Sequence, residues 1–253
     1  MVADSLDLAE VEAAFAAREL FLAYQPIVAL KDGSCVGAES LIRWRRAGRA
    51  LDASEFMPLT DRTPLSGMIT YFVIDTVASE LGAWLAEHES AHIGINIPPE
   101  VLGRGGVDYA AVKSGLRERA KQLILEITER GIPDELGLAA LNRVAETGAR
   151  VALDDMTLSG ANLALLTRCH FDLVKIDQTL VAQLAQGQAA PAWLEGLTAL
   201  LRTTPLEVVA EGVETGHQAD VLRESGVQLA QGHWFAEALP ADEFMRYYAR
   251  HHR

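Results

Sequence analysis

The stretch "RVALDD", Arg150–Asp155, decides how this chain folds. A short apolar run, too brief for a helix, ends in two adjacent carboxylates, and more than ten residues of helical pattern precede it. The same layout recurs on either side. "HIGINI" (His92–Ile97), "QLILEIT" (Gln122–Thr128), "FDLVKID" (Phe171–Asp177), "LEVVAEG" (Leu206–Gly212) and "VQLAQG" (Val227–Gly232) are apolar strands reached through helical segments. Strands of this kind, separated by crossover helices, predict a parallel sheet covered on both faces.

The N-terminal region has a different rhythm. Ser5 is positioned to cap a helix in which Leu8, Val11, Phe15 and Leu20 lie near one face. "FLAYQPIVAL" and "CVGAESLIRW" then read as two antiparallel strands around the turn "KDG", a hairpin across Leu20–Trp44. Helices are expected at about Leu65–Glu87 and around Tyr109–Ala120. The count reaches eight strands in 253 residues, which fits an α/β fold of the (β/α)8 TIM-like type with one reversed strand at the start.

A doubly wound open sheet is the alternative, and the polar residues discriminate between the two. Asn96, Glu126, Asp154, Lys175, Glu211 and Gln231 fall at or near the C-terminal ends of six different strands. Barrel enzymes collect their sites there, whereas an open sheet concentrates its site at one switch point. With no internal repeat and no linker composition, one domain over 1–253 is expected.

Composition excludes several functions. About half the residues are apolar (49%) and 23% are charged, as in ordinary globular proteins. The apolar stretch Ala13–Leu30 is broken by Arg18, Glu19 and Pro26, so neither a signal peptide nor a spanning helix is expected, and no membrane contact from this segment. Cys35 and Cys169 have no CxxC spacing, which favours a reducing cytoplasm over a disulfide framework or a zinc site. A formal charge of −13 excludes a surface that tracks long nucleic acid.

Glu39 lies within a strand, on the face shared by Leu41 and Arg43, and carboxylates are seldom buried without a partner or metal. Together Glu39, Asn96, Glu126, Asp154, Asp155 and Glu211 would supply five carboxylates and one amide oxygen. Such a set suits Mg²⁺, Mn²⁺ or Ca²⁺ better than zinc. So many anionic oxygens suit two ions, with one of the adjacent aspartates bridging them and the other binding only the second, as in two-metal phosphoryl displacement. Lys175, flanked by Val174 and Ile176, is expected to point inward and to orient or activate water. Arg43 is a candidate for a substrate phosphate, with a surface salt bridge as its other reading.

The chain resembles the EAL family, the bacterial cyclic-di-GMP phosphodiesterase domain. "ESLIRW" (Glu39–Trp44) stands where that family has its name-giving segment, followed by "INI", "LEITE", "LDD", "VKID", "VAEGVET" and "QGHWF" in order. The resemblance runs over about residues 20–248. It implies hydrolysis of cyclic-di-GMP to linear pGpG with Mg²⁺ or Mn²⁺, inhibition by Ca²⁺, a homodimer, and sensor or GGDEF domains in a longer parent protein. It also implies that Glu39, Asn96, Glu126, Asp154, Asp155 and Glu211 hold metal, and that Lys175 and Glu211 act on the water. Gln25, Leu41, Arg43, Glu214 and Gln231 would line or support the substrate pocket, and Glu129 would hold the metal-site loop. Where the family reads DDFGTG this chain has "DDMTLS", Asp154–Ser159, without the phenylalanine and both glycines. That departure keeps a second function open, a cyclic-di-GMP receptor with weak or no turnover.

Overall fold

The computed structural model describes residues 6–128, 133–156, 168–184 and 191–252. Its centre is a closed sheet. Strands β1 (Leu20–Ala29), β2 (Cys35–Arg46), β4 (His92–Asn96), β5 (Leu123–Thr128), β6 (Arg150–Met156), β7 (Leu173–Ile176), β8 (Glu207–Ala210) and β9 (Leu229–Ala230) form the wall. They follow the order β1-β9-β8-β7-β6-β5-β4-β2, and a β1–β2 pairing closes the ring. β1 runs antiparallel to both neighbours, while the other barrel pairings are parallel. The structure is therefore the barrel with one reversed strand, not the open sheet.

Period-two alternation stacks the interior in layers. Ile27, Ile124, Ala152, Leu173, Val209 and Leu229 form an apolar cluster on six different strands. One side-chain repeat farther toward the C-terminal rim on the parallel strands come Glu126, Asp154, Lys175, Glu211 and Gln231. On the reversed strand Gln25 is the corresponding residue. The rim is polar because each strand switches from an apolar to a polar inward residue at the same height.

Outside the wall, helix α1 (Leu8–Ala16) is capped by Asp7, whose side chain accepts from Glu10 N–H while Glu10 returns the contact, so Asp7 takes the capping role expected of Ser5. Ser5 lies outside the described residues. Helix α2 (Pro64–Glu87) begins with proline at its first turn, where a missing N–H costs nothing, and buries Leu65, Ile69, Val73, Val77, Leu81 and Leu85 at helical spacing. The helix expected around Tyr109–Ala120 is two pieces: α3 (Gly106–Ser114) ends at Gly115, whose φ of +82° suits glycine, and a 3-10 segment Leu116–Gln122 continues the chain. Among the described residues a ninth strand, β3 (Arg49–Asp52), pairs only with β2 and stands outside the ring. Among the described residues no helix is long and apolar enough to cross a membrane.

Candidate active site

Lys175 is the centre of the rim. Its side chain is 2% exposed, and its Nζ lies 2.8 Å from Glu39 Oε2, Glu126 Oε2 and Glu211 Oε1 and 3.1 Å from Asp154 Oδ1. An ammonium carries three protons, so it cannot donate fully to four carboxylates. Asp154 Oδ1 is the one left buried without a hydrogen bond.

Two amides tie the anions from the other side. Asn96 Nδ2 donates to Glu39 Oε1 at 2.8 Å. Gln231 Nε2 donates to Glu39 Oε2 at 2.7 Å and to Glu211 Oε1 at 3.0 Å. Gln231 is thus a support for two carboxylates. Gly94, paired with Glu39 in register, also shapes the cluster: a Cβ added there would stand 2.0 Å from Glu126 Oε1. The strand has glycine at this point because the Glu126 carboxylate occupies the space of a side chain.

The adjacent aspartates need a special backbone. Successive strand residues point to opposite faces, so a regular strand would bring only one of them to the rim. Asp155 has a φ of +54°, and the β6–β7 register shifts between Leu153 and Met156. Aspartate tolerates this left-handed conformation better than most residues. The break in alternation lets both carboxylates line the same cavity.

The electrostatics follow from crowding in a buried place. Burial pushes the Glu39 carboxyl up, but the Lys175 charge and the donors Gln231, Lys175 and Asn96 outweigh it and hold Glu39 down at about 2. For Glu126 burial, reinforced by the Glu39 and Asp154 charges, wins over Lys175 and raises it well above the ordinary carboxylate range. Burial likewise raises Asp154, and raises Glu211 to about 8 with help from Asp154 and Glu39. Burial would lower Lys175, yet Asp154, Glu126, Glu211 and Glu39 more than compensate and keep it a cation. One ammonium is too little positive charge for this cluster, so protons or further cations must supply the rest.

The donor atoms fit hard divalent ions. Carboxylate oxygens of Glu39, Glu126 and Asp154 lie within 4.8 Å of one another, as do those of Asp154, Asp155 and Glu211. The two triads share Asp154, whose unbonded buried oxygen is the kind of atom a cation would satisfy. All donors are oxygen, as expected for Mg²⁺ or Mn²⁺ and unlike a zinc site.

Above the triads opens a cavity of about 810 Å³, large enough for a dinucleotide-sized ligand. Gln25, Glu39, Leu41, Arg43, Asn96, Asp154, Asp155, Glu211, Glu214 and Gln231 all border it. Glu126 and Lys175 border a smaller cavity of about 160 Å³ beneath, inside the barrel. Arg43 Nε is paired with Asp52 on β3 at 3.0 Å, so the salt-bridge reading of Arg43 holds while the residue still faces the large cavity. Glu214 is exposed at the cavity edge, and its backbone N–H donates to Gln218 Oε1. Glu129 and the stretch Thr157–Ser159 lie outside the described residues. Sequence reasoning missed Gly94, although glycine inside a strand signals close approach, and it missed Arg62, Glu100 and Arg104, cavity residues between the main elements that carry no sequence signal, Glu100 within a short 3-10 turn.

The EAL domain model matches residues 8–238. The chain is 34% identical over 238 residues to the "Probable cyclic di-GMP phosphodiesterase PdeB" of Escherichia coli (strain K12), covering 92% of this chain and 45% of that protein. It is 32% identical over 241 residues to the "Cyclic di-GMP phosphodiesterase NbdA" of Pseudomonas aeruginosa, covering 91% of this chain and 30% of that protein. Among solved structures, a phosphodiesterase called PaMucR in complex with c-di-GMP has a TM-score of 0.82 at 30% identity, covering 94% of this chain and 98% of that one. The chain thus spans less than half the length of these two curated relatives.

Proposed function

Because the chain belongs to the EAL domain family, we propose that it is a phosphodiesterase that opens cyclic-di-GMP to linear pGpG, with the barrel over 1–253 as one catalytic domain. The observation that carries this reading is the set of buried carboxylates gathered on Lys175, of which Glu39, Asp154 and Glu211 also line the large cavity. Five carboxylates, Glu39, Glu126, Asp154, Asp155 and Glu211, against one ammonium leave four negative charges. Two divalent ions cancel them.

Glu39, Glu126 and Asp154 would hold one ion, and Asp154, Asp155 and Glu211 the other, with Asn96 at the first through its amide oxygen once its side chain is turned. Mg²⁺ or Mn²⁺ would supply Lewis-acid stabilisation of the charge that develops on the phosphate. Ca²⁺, with more ligands at longer distances, would inhibit by spreading the carboxylates.

Lys175 keeps the carboxylates converged and presents a fixed positive charge to an attacking water. Glu211 touches Lys175 and faces the cavity, which suits it to take the proton as water adds to phosphorus and the P–O3′ bond breaks, the departing O3′ taking up a proton from solvent to become the 3′-hydroxyl. Arg43 and Gln25 border the ligand, with Leu41 giving apolar contact and Glu214 closing the edge. A homodimer, and sensor or GGDEF domains in a longer cytoplasmic or membrane-anchored parent, belong to the same proposal.

A receptor without turnover is the second reading, favoured by "DDMTLS" in place of DDFGTG. Incubation with cyclic-di-GMP and Mn²⁺, followed by chromatography of the products, separates the two. Linear pGpG that disappears in Glu39→Ala supports the enzyme; tight binding without product contradicts it.

A further inference from the structure

Three arginines border the large cavity, and two are committed to carboxylates. Arg43 pairs with Asp52, and Arg104 makes a two-point contact with Asp134 at 2.6 and 3.2 Å. Arg62 makes no side-chain ion pair among the described residues.

The backbone holds Arg62 in place at a cost. Its φ is +58°, a left-handed conformation that a long side chain seldom adopts. Its N–H donates to Glu100 Oε1 at 3.1 Å, and the same oxygen accepts from Ser66 Oγ at 2.8 Å. Glu100 follows β4, the strand that carries Asn96, and Ser66 lies in the first turn of α2. One carboxylate therefore clamps the turn before α2 to the end of a site-bearing strand. Strain fixed by a specific clamp beside a cavity is a pattern associated with ligand contact.

The ligand's charge says what that contact is. A cyclic dinucleotide carries two phosphates, and the carboxylate cluster with its cations can engage one. The second then meets a wall that includes Asp61, Glu100, Asp177 and Glu214, with Asp52 and Asp134 already offset by Arg43 and Arg104. It would be repelled there unless it met a cation not already paired. A guanidinium matches a phosphate through two parallel hydrogen bonds.

We propose that Arg62 is a specificity-determining residue that binds the second, non-reacting phosphate of a cyclic dinucleotide. The assignment rests on the function proposed above. It makes the site selective for ligands with two phosphates over simple diesters with one.

The test compares wild type, Arg62→Ala, Arg62→Lys and Arg62→Gly. Calorimetric binding of cyclic-di-GMP in Ca²⁺ would be measured beside Mn²⁺-dependent kinetics on cyclic-di-GMP and on bis(p-nitrophenyl) phosphate. Arg62→Ala should weaken cyclic-di-GMP binding by about tenfold or more, the loss expected for one charge-assisted contact. KM for cyclic-di-GMP should rise with it while kcat changes little, and kinetics on the one-phosphate diester should hold. Arg62→Lys should recover part of the affinity. Arg62→Gly relieves the strained φ and should raise or preserve Tm yet lose affinity like the alanine variant, which separates contact from folding. Equal losses on both substrates, or unchanged cyclic-di-GMP binding in the alanine and glycine variants, would overturn the assignment. Absence of cyclic dinucleotide binding in wild type itself would overturn the underlying function and this assignment together.

Discussion

Replacing Lys175 by methionine removes the ammonium while nearly preserving shape, and the structure fixes what should follow. Glu39 is held at about 2 against an ordinary 4.5, and Lys175 is the largest influence opposing burial there. Taken over Lys175, Gln231 and Asn96 together, that depression corresponds to about 3 kcal/mol at neutral pH. That agrees with the ~3–5 kcal/mol typical of leaving a buried ion-pair partner alone. For a chain of this length the loss should lower Tm by about 6–12 °C. A group with a depressed pKa contributes stability that is full above its unfolded value and is lost as pH falls toward its folded value, so the deficit of Lys175→Met should be full from pH 7 down to about 4.5 and shrink between about 4.5 and about 2. The assay is thermal unfolding of wild type and variant from about pH 3 to about pH 8, in EDTA and, at neutral pH, in Mn²⁺. Mn²⁺ should restore much of the variant's Tm, because divalent charge replaces the lost cation. A variant within 1–2 °C of wild type at pH 7 in EDTA, where about 6 °C or more is expected, would refute the charge accounting, and so would a deficit that Mn²⁺ leaves unchanged.

Two other outcomes follow from the same cluster. Gly94→Ala puts a Cβ 2.0 Å from Glu126 Oε1, so Glu126 must swing away and Mn²⁺ affinity by calorimetry should fall by about tenfold or more, with partial recovery when the shorter Glu126→Asp is added. Glu126, Asp154 and Glu211 are raised, so without metal the folded chain keeps protons that the unfolded chain releases, and stability should fall as pH rises from about 4.5 through about 8. Saturating Mn²⁺ displaces those protons, and scanning calorimetry should find a larger Mn²⁺-induced gain in Tm at pH 8 than at pH 6; an equal gain would contradict the raised carboxyls.

The barrel was legible because each inward face changes from apolar to polar at one height, and strand periodicity exposes that change directly. The inward Lys175 and Asp154 were readable for the same reason, whereas Asp155 was read only from its place beside Asp154. What escaped depends on contacts between distant strands. Nothing near Gly94 announces that Glu126, thirty-two residues later, fills its missing side chain. The short β3 escaped because its four residues include only two apolar ones, Ala50 and Leu51, and with it the Asp52 partner of Arg43. The positive φ that turns Asp155 to the same cavity as Asp154 is a backbone event without a glycine to mark it. Arg62 looks like any exposed arginine until its clamp by Glu100 is visible.

The claim that most needs a direct answer is that two divalent ions share Asp154 at the rim. Anomalous diffraction at the manganese edge, from crystals equilibrated with Mn²⁺ and cyclic-di-GMP, would locate them. The account predicts two peaks flanking the Asp154 carboxylate, one toward Glu39 and Glu126 and one toward Asp155 and Glu211. A single peak, or ions away from Asp154, would contradict it.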